Sequence, residues 1–154
     1  MLEVHGLRRD QWVLVEDTFM TPTLSEQKTV TVHDQVVSLV AQRWAKAFVC
    51  KVTILTAHEQ NLLAETSQLC DIVGWYVSSS GNTIEWIGEI ETEDSLAGSL
   101  ILDKWRRLST RGVPFYLVVP AGMKEGASKL AQEASIAVSC IYEFTFIHGV
   151  CHIL

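Results

Sequence analysis

The sequence predicts an α/β fold: a central mixed sheet flanked by helices, in the order α-β-β-β-α-β, followed by an additional C-terminal α-β unit. Three observations predict it. An apolar stripe at three- and four-residue spacing runs from His33 to Phe48. Two strand-like stretches flank the turn sequence Ser78-Ser79-Ser80-Gly81-Asn82. A short, continuously apolar run, Phe115 to Val119, stands between Pro114 and Pro120, the pattern of a strand buried on both faces.

The elements follow in order. Residues 1–30 read as an N-terminal extension, with a short strand at Trp12-Val13-Leu14-Val15 and a turn at Thr21-Pro22-Thr23. The helix from His33 to Phe48 places Val36, Val37, Val40, Trp44, Ala47 and Phe48 on one face. Lys51 to Leu55 is β-branched and reads as a strand. A polar stretch, His58 to Gln68, leads to a strand over Asp71 to Val77, and Thr83 to Thr92 forms the second arm of a hairpin. Side chains alternate along a strand, so Ile84, Trp86 and Ile90 face one way. Glu85, Glu89, Glu91 and Glu93 face the other, with Ile87. With a three-residue loop, Ser79-Ser80-Gly81, Asp71 lies directly across from Glu89. A loop of even length separates them unless a bulge restores the register. A helix over 95–110, capped by Asp94 or Ser95, carries Ala97, Leu100, Ile101, Trp105 and Leu108 as its stripe, with Lys104 inside it. After the buried strand come a helix over 122–134 and a strand over 137–147.

The chain has 154 residues, 48% of them hydrophobic, which is enough for one domain with a proper core. It carries 18 acidic and 12 basic side chains, a net charge of −6. This balance argues against a general nucleic-acid or anionic-membrane binder. Five of the acids, Glu85, Glu89, Glu91, Glu93 and Asp94, fall in one ten-residue window with no base among them. Without that window, 13 acids stand against 12 bases, so the acidity is one local feature of a nearly neutral chain. The longest apolar stretch, Val113 to Val119, is far below the roughly 20 residues of a membrane span. Cys50, Cys70, Cys140 and Cys151 show no CxxC spacing and read as reduced core thiols of a cytoplasmic protein. His148, Cys151 and His152 lack the second pair of ligands that a zinc site needs.

Two stretches carry a family resemblance: Cys70-Asp71-Ile72-Val73-Gly74-Trp75 and Ile87-Gly88-Glu89-Ile90-Glu91-Thr92-Glu93-Asp94-Ser95. Together with the element order they resemble the PD-(D/E)xK phosphodiesterase superfamily, the restriction endonuclease-like fold, as found in small uncharacterised prokaryotic members. The resemblance covers residues 33–119 as a nuclease-like αβββαβ core, leaving 120–154 as the additional helix and strand. It implies a divalent-metal-dependent DNA endonuclease. Asp71 and Glu89 would be metal ligands, with the carbonyl of Ile90 completing the protein side of a Mg²⁺ or Mn²⁺ site. The motif lysine is replaced by Glu91, which would serve as a general base or a further ligand. Lys104 would be a migrated catalytic lysine, or else a structural partner of one of the glutamates. Arg106, Arg107 and Arg111 would contact phosphates flanking the scissile bond or else form a solvated helix face, and Glu59 and Glu65 are weaker candidates from the preceding loop.

The chemistry suits such residues, because phosphodiester hydrolysis needs an activated water and neutralisation of charge on the phosphate. Hard cations bound through oxygen ligands provide both. Two alternatives stand beside the nuclease: a catalytically degenerate relative acting as a binding or assembly module, with a homodimer as its expected form, and a hydrolase for another phosphate ester.

Overall fold

In the computed structural model, which describes residues 30–55 and 70–154, helix α1 (Val32–Ala47) begins at Thr31. The Thr31 hydroxyl accepts from the Asp34 N–H (3.1 Å), and the Asp34 carboxylate accepts from the Thr31 N–H (3.2 Å). This reciprocal cap satisfies two donors that the first turn leaves without helical partners. Val36, Val37, Val40, Ala41 and Trp44 form the buried face. Ala47 and Phe48, expected on that face, are exposed because the helix ends there. The N-terminal strand and turn and the polar stretch, with Glu59 and Glu65, lie outside the described residues.

Six strands form one sheet in sequence order: β1 (Lys51–Ile54), β2 (Ile72–Ser78), β3 (Gly81–Ile90), β4 (Phe115–Pro120), β5 (Cys140–Ile147) and β6 (Val150–Ile153). Strands β1, β2 and β3 are antiparallel, β3 to β5 are parallel, and β6 turns back antiparallel on β5. The sheet is mixed, as expected. It curls around α1, which packs on β1 and also reaches the opposite edge, where Arg43 Nη1 donates to the Ile153 carbonyl (3.4 Å). Strand β6 was not anticipated from the sequence. Its turn, His148-Gly149, has positive φ at both residues, the geometry that matches the twist of a two-residue hairpin.

Two glycines let the helix side close on the sheet. Gly74 pairs with Trp86, and a Cβ on Gly74 would lie 2.1 Å from the Trp86 ring. A Cβ on Gly88 would lie 2.9 Å from the Trp44 ring. Both indoles therefore occupy space that only glycine leaves open.

The other sheet face is covered by α3 (Ile101–Ser109) and α4 (Lys124–Glu133), whose Trp105, Leu108, Ala127 and Ala131 pack with Val73, Ile87, Phe115 and Leu117. Strand β4 is buried along most of its length, as the proline-bounded run predicts. The helix expected over 95–110 is instead two pieces, α2 (Glu93–Leu96) and α3. Thr92, not Asp94 or Ser95, caps α2. Gly98, a weak helix former, stands in the break. Leu100, expected in the buried stripe, is therefore 75% exposed. No helix among the described residues is long and apolar enough to cross a membrane.

Candidate functional site

The register of the β2–β3 hairpin decides where the acidic strand points. The loop is two residues long, with Ser78 opposite Gly81. The register then shifts between Gly74 and Trp75, which leaves Glu85 as an extra residue on β3. Beyond that bulge Ile72 stands opposite Gly88, and the Asp71 N–H donates to the Gly88 carbonyl (3.2 Å). The bulge thus restores the alignment that the even loop would have lost, with Asp71 beside Glu89. It also moves Ile84 to the Ile87 side of the sheet, whereas Trp86 and Ile90 face α1. The expected grouping of Ile84 with Trp86 and Ile90 fails for this reason.

The five-acid window divides accordingly. Glu85 at the bulge and Glu93 and Asp94 in the first turn of α2 are exposed, whereas Glu89 and Glu91 are buried. Glu89 is wholly enclosed, and Lys104 of α3 donates to its Oε1. Glu89 Oε2 is buried with no hydrogen-bond partner, an uncommon state for a carboxylate oxygen. Burial, reinforced by Asp71 and Glu91 and opposed by Lys104, pushes the Glu89 carboxyl well above its usual range. Burial acts against the Lys104 charge, but the pull of Glu89, aided by Asp71 and Glu91, outweighs it and raises its pKa. Lys104 is therefore a charged ammonium facing a cluster with more carboxylates than it can neutralise.

Asp71 directly precedes β2. Its Oδ2 accepts from the Ile90 N–H (2.8 Å) and lies 3.2 Å from His33 Nε2 in the first turn of α1. Burial alone would raise the Asp71 carboxyl, but the hydrogen bond and charge of His33, the Ile90 N–H and Lys104 together hold it below its usual value. His33 is raised above 6.5, chiefly by its hydrogen bond to Asp71 and against the effect of burial. The two shifts bracket a pH window. The raised His33 contributes stability that is full below about 6.5 and is lost as pH rises through its folded value. The lowered Asp71 contributes stability that is present above about 3.9 and is lost as pH falls through its own folded value. An NMR titration of the His33 ring should therefore give a midpoint above 6.5, and Asp71→Asn should move it down. An unmoved midpoint would rule out the pairing.

Glu91, where the sequence resemblance would call for a lysine, is 2% exposed. One carboxylate oxygen accepts from the Ser95 hydroxyl in α2 and the other from Trp105 Nε1 in α3 (2.9 Å). In an unbroken helix Ser95 and Trp105 would be about 15 Å apart along the axis. The break between α2 and α3 is what lets both reach one carboxylate. Glu91 is thus engaged on both oxygens, an arrangement unlike the free base or extra ligand that the sequence suggests.

The remaining expected residues divide as well. Arg106 pairs with Asp103 (3.0 Å) on the exposed side of α3. Arg107 shares with Lys104 a groove beside the site. Arg111 follows the helix, near enough to Cys70 to influence its thiol. Cys70 is buried, and its thiol is pushed up to about 12 by burial and then by Glu89 and Asp71. It is an inert neutral thiol at neutral pH. Sequence reasoning missed His33 as a site residue, since nothing in the chain ties it to Asp71 before the fold is known.

Among the described residues no three His, Cys, Asp or Glu side chains cluster as a ligand set. Asp71 and Glu89 offer two carboxylates, and the unpartnered Glu89 Oε2 fits a hard cation that takes oxygen donors. No protein-family profile matches the chain, and no curated protein or solved structure proves similar to it.

Proposed function

We propose that this chain is a divalent-metal-dependent DNA endonuclease of the PD-(D/E)xK, restriction endonuclease-like kind. The observation that carries the reading is the fully buried Glu89, with one unpartnered oxygen, placed beside Asp71 and paired with a lysine from another element. Asp71, Glu89 and the Ile90 carbonyl would hold Mg²⁺ or Mn²⁺. When bound, such an ion lowers the pKa of a coordinated water and neutralises charge on the phosphate.

The protein's own part can be followed residue by residue. His33 and the Ile90 N–H fix Asp71 in one orientation. Lys104, paired with Glu89, brings a positive charge to the end of β3, where the motif lysine of other members would stand, and would hold the attacking water or the phosphate. Glu91 acts as a positioning residue. By holding Trp105 Nε1 it fixes the turn of α3 from which Lys104 extends.

Purified protein should cleave DNA in Mn²⁺ or Mg²⁺ but not in EDTA, tested on linear, circular and single-stranded forms. Glu89→Gln should lower the rate by about 100-fold or more, the loss expected when an electrostatic group at the reacting phosphate is removed. A wild-type chain inactive in both metals, or a variant that cleaves normally, would overturn the assignment and leave the binding-module alternative.

A further inference from the structure

Beside the buried acids, α2 and α3 enclose a groove of about 410 Å³. Its lining is Glu91 and Ser95, then Gly98, Leu100 and Ile101, and finally Asp103, Lys104 and Arg107; the Asp103 carboxylate is taken up by Arg106 (3.0 Å). Glu91 and Ser95 are hydrogen-bonded to each other. The groove's apolar side is Leu100, 75% exposed, with Ile101 and the bare backbone of Gly98. Lys104 and Arg107 are three residues apart on α3, so they lie one turn apart on the same face. Lys104 is committed to Glu89, whereas Arg107 is exposed and has no ion partner among the described residues.

The groove therefore joins an apolar wall to an uncommitted guanidinium, and it opens directly at the lysine of the proposed catalytic site. A guanidinium binds phosphate oxygens in a forked, two-bond geometry. An exposed leucine offers an apolar surface to a nucleobase or sugar. The volume suits one nucleoside and is too small for a base pair still stacked in a duplex. A base can enter it only by leaving its stack.

We propose that this groove is a subsite for the unpaired nucleotide adjoining the scissile phosphate, with Arg107 holding that nucleotide's phosphate. The proposal rests on the nuclease reading for its location, and it makes the preferred substrate a single strand or an unpaired end. The test uses binding, separately from cleavage. A short fluorescein-labelled thymidine oligonucleotide, and the same strand in a duplex, are titrated with the full chain in Ca²⁺ and followed by anisotropy.

The single strand should bind more tightly than the duplex. Arg107→Ala should weaken it about tenfold and lower the salt dependence by about one phosphate contact. Lys129→Ala, an exposed lysine on α4 facing Glu133, serves as the control and should leave binding unchanged. Leu100→Ala should weaken the single strand but not the duplex, which separates the wall from the charge. Equal losses in Arg107→Ala and Lys129→Ala, or a duplex bound as tightly as the single strand, would overturn the subsite. Arg107-dependent binding of single strands by a chain that cleaves nothing would support the groove and remove the nuclease reading, so the two fail separately.

Discussion

Replacing Lys104 with methionine is expected to lower both stability and metal-dependent cleavage. Methionine keeps the apolar stem and removes only the ammonium. Glu89, wholly buried, would then face Asp71 and Glu91 with no compensating charge. Breaking one side of a buried ion pair costs about 3–5 kcal/mol. Two features reduce that figure here. Lys104 is about a third exposed, so solvent screens part of its attraction. Glu89 can also take up a proton instead of remaining a bare buried anion. A loss of about 2–3 kcal/mol at neutral pH remains, or about 5–10 °C in Tm for a domain of this size.

The pH dependence gives this prediction its sign. Glu89 already has a raised pKa, and without Lys104 it rises further. Below about 4.5 the carboxyl is protonated in both folded and unfolded chains, so the missing lysine costs least there. Between that value and the parent's own raised Glu89 value both folded proteins keep the carboxyl protonated; above it the parent ionises beside Lys104 while the variant, raised further, does not, and the penalty grows from there. Thermal denaturation at several pH values should therefore show Lys104→Met diverging from the parent as pH increases. Glu89→Gln in the same background should recover most of the loss, because the buried charge is then gone. Equal Tm differences at all pH values would mean that the pair contributes nothing. Cleavage should fall about 100-fold under the proposed mechanism, and an unchanged rate would remove Lys104 from the chemistry while leaving its structural role.

How much of this was legible beforehand depends on how local each signal is. The stripe Val36, Val37, Val40 and Trp44, and the proline-bounded β4, depend on spacing within one element, and both appear where the pattern places them. The alignment of Asp71 with Glu89 was legible only as a condition. Parity of the loop and an extra residue have equivalent effects on register, and the chain uses a two-residue loop with a bulge at Glu85. No composition rule marks Glu85 as the extra residue, so simple alternation along the strand puts Ile84 on the wrong face. The break at Gly98 was signalled by the glycine itself but outweighed by the apolar stripe on either side. The tie from Ser95 and Trp105 to Glu91 is tertiary, and it decides the matter. The contact of His33 with Asp71 spans 38 residues and has no sequence signature. The turn at His148-Gly149 did have one, a glycine between two β-rich runs, and β6 could have been found from it.

The same tertiary tie makes Glu91→Lys, the substitution that would install the lysine of the proposed motif, a strongly destabilising change. In sequence terms it looks restorative. In the fold, position 91 is 2% exposed and is approached by two donors, the Ser95 hydroxyl and the Trp105 Nε1–H. An ammonium there can accept from neither. It would place a third donor, and a charge, among groups that require an acceptor. The Trp105 N–H would lose its partner inside the core, a cost of about 1–3 kcal/mol by itself. The buried ammonium would add several more unless it turned toward Glu89, which Lys104 already occupies. A total loss of about 3–5 kcal/mol follows, or about 10 °C or more in Tm. Glu91→Gln should lose far less, since its carbonyl still accepts from one donor, and Trp105→Phe should make Glu91→Lys less costly by removing one of the stranded groups. Cleavage by Glu91→Lys should fall rather than rise, because α3 loses the anchor that positions Lys104. A variant that is as stable as the parent and cleaves faster would show instead that position 91 is open to the reacting phosphate and that the clamp on α3 is dispensable.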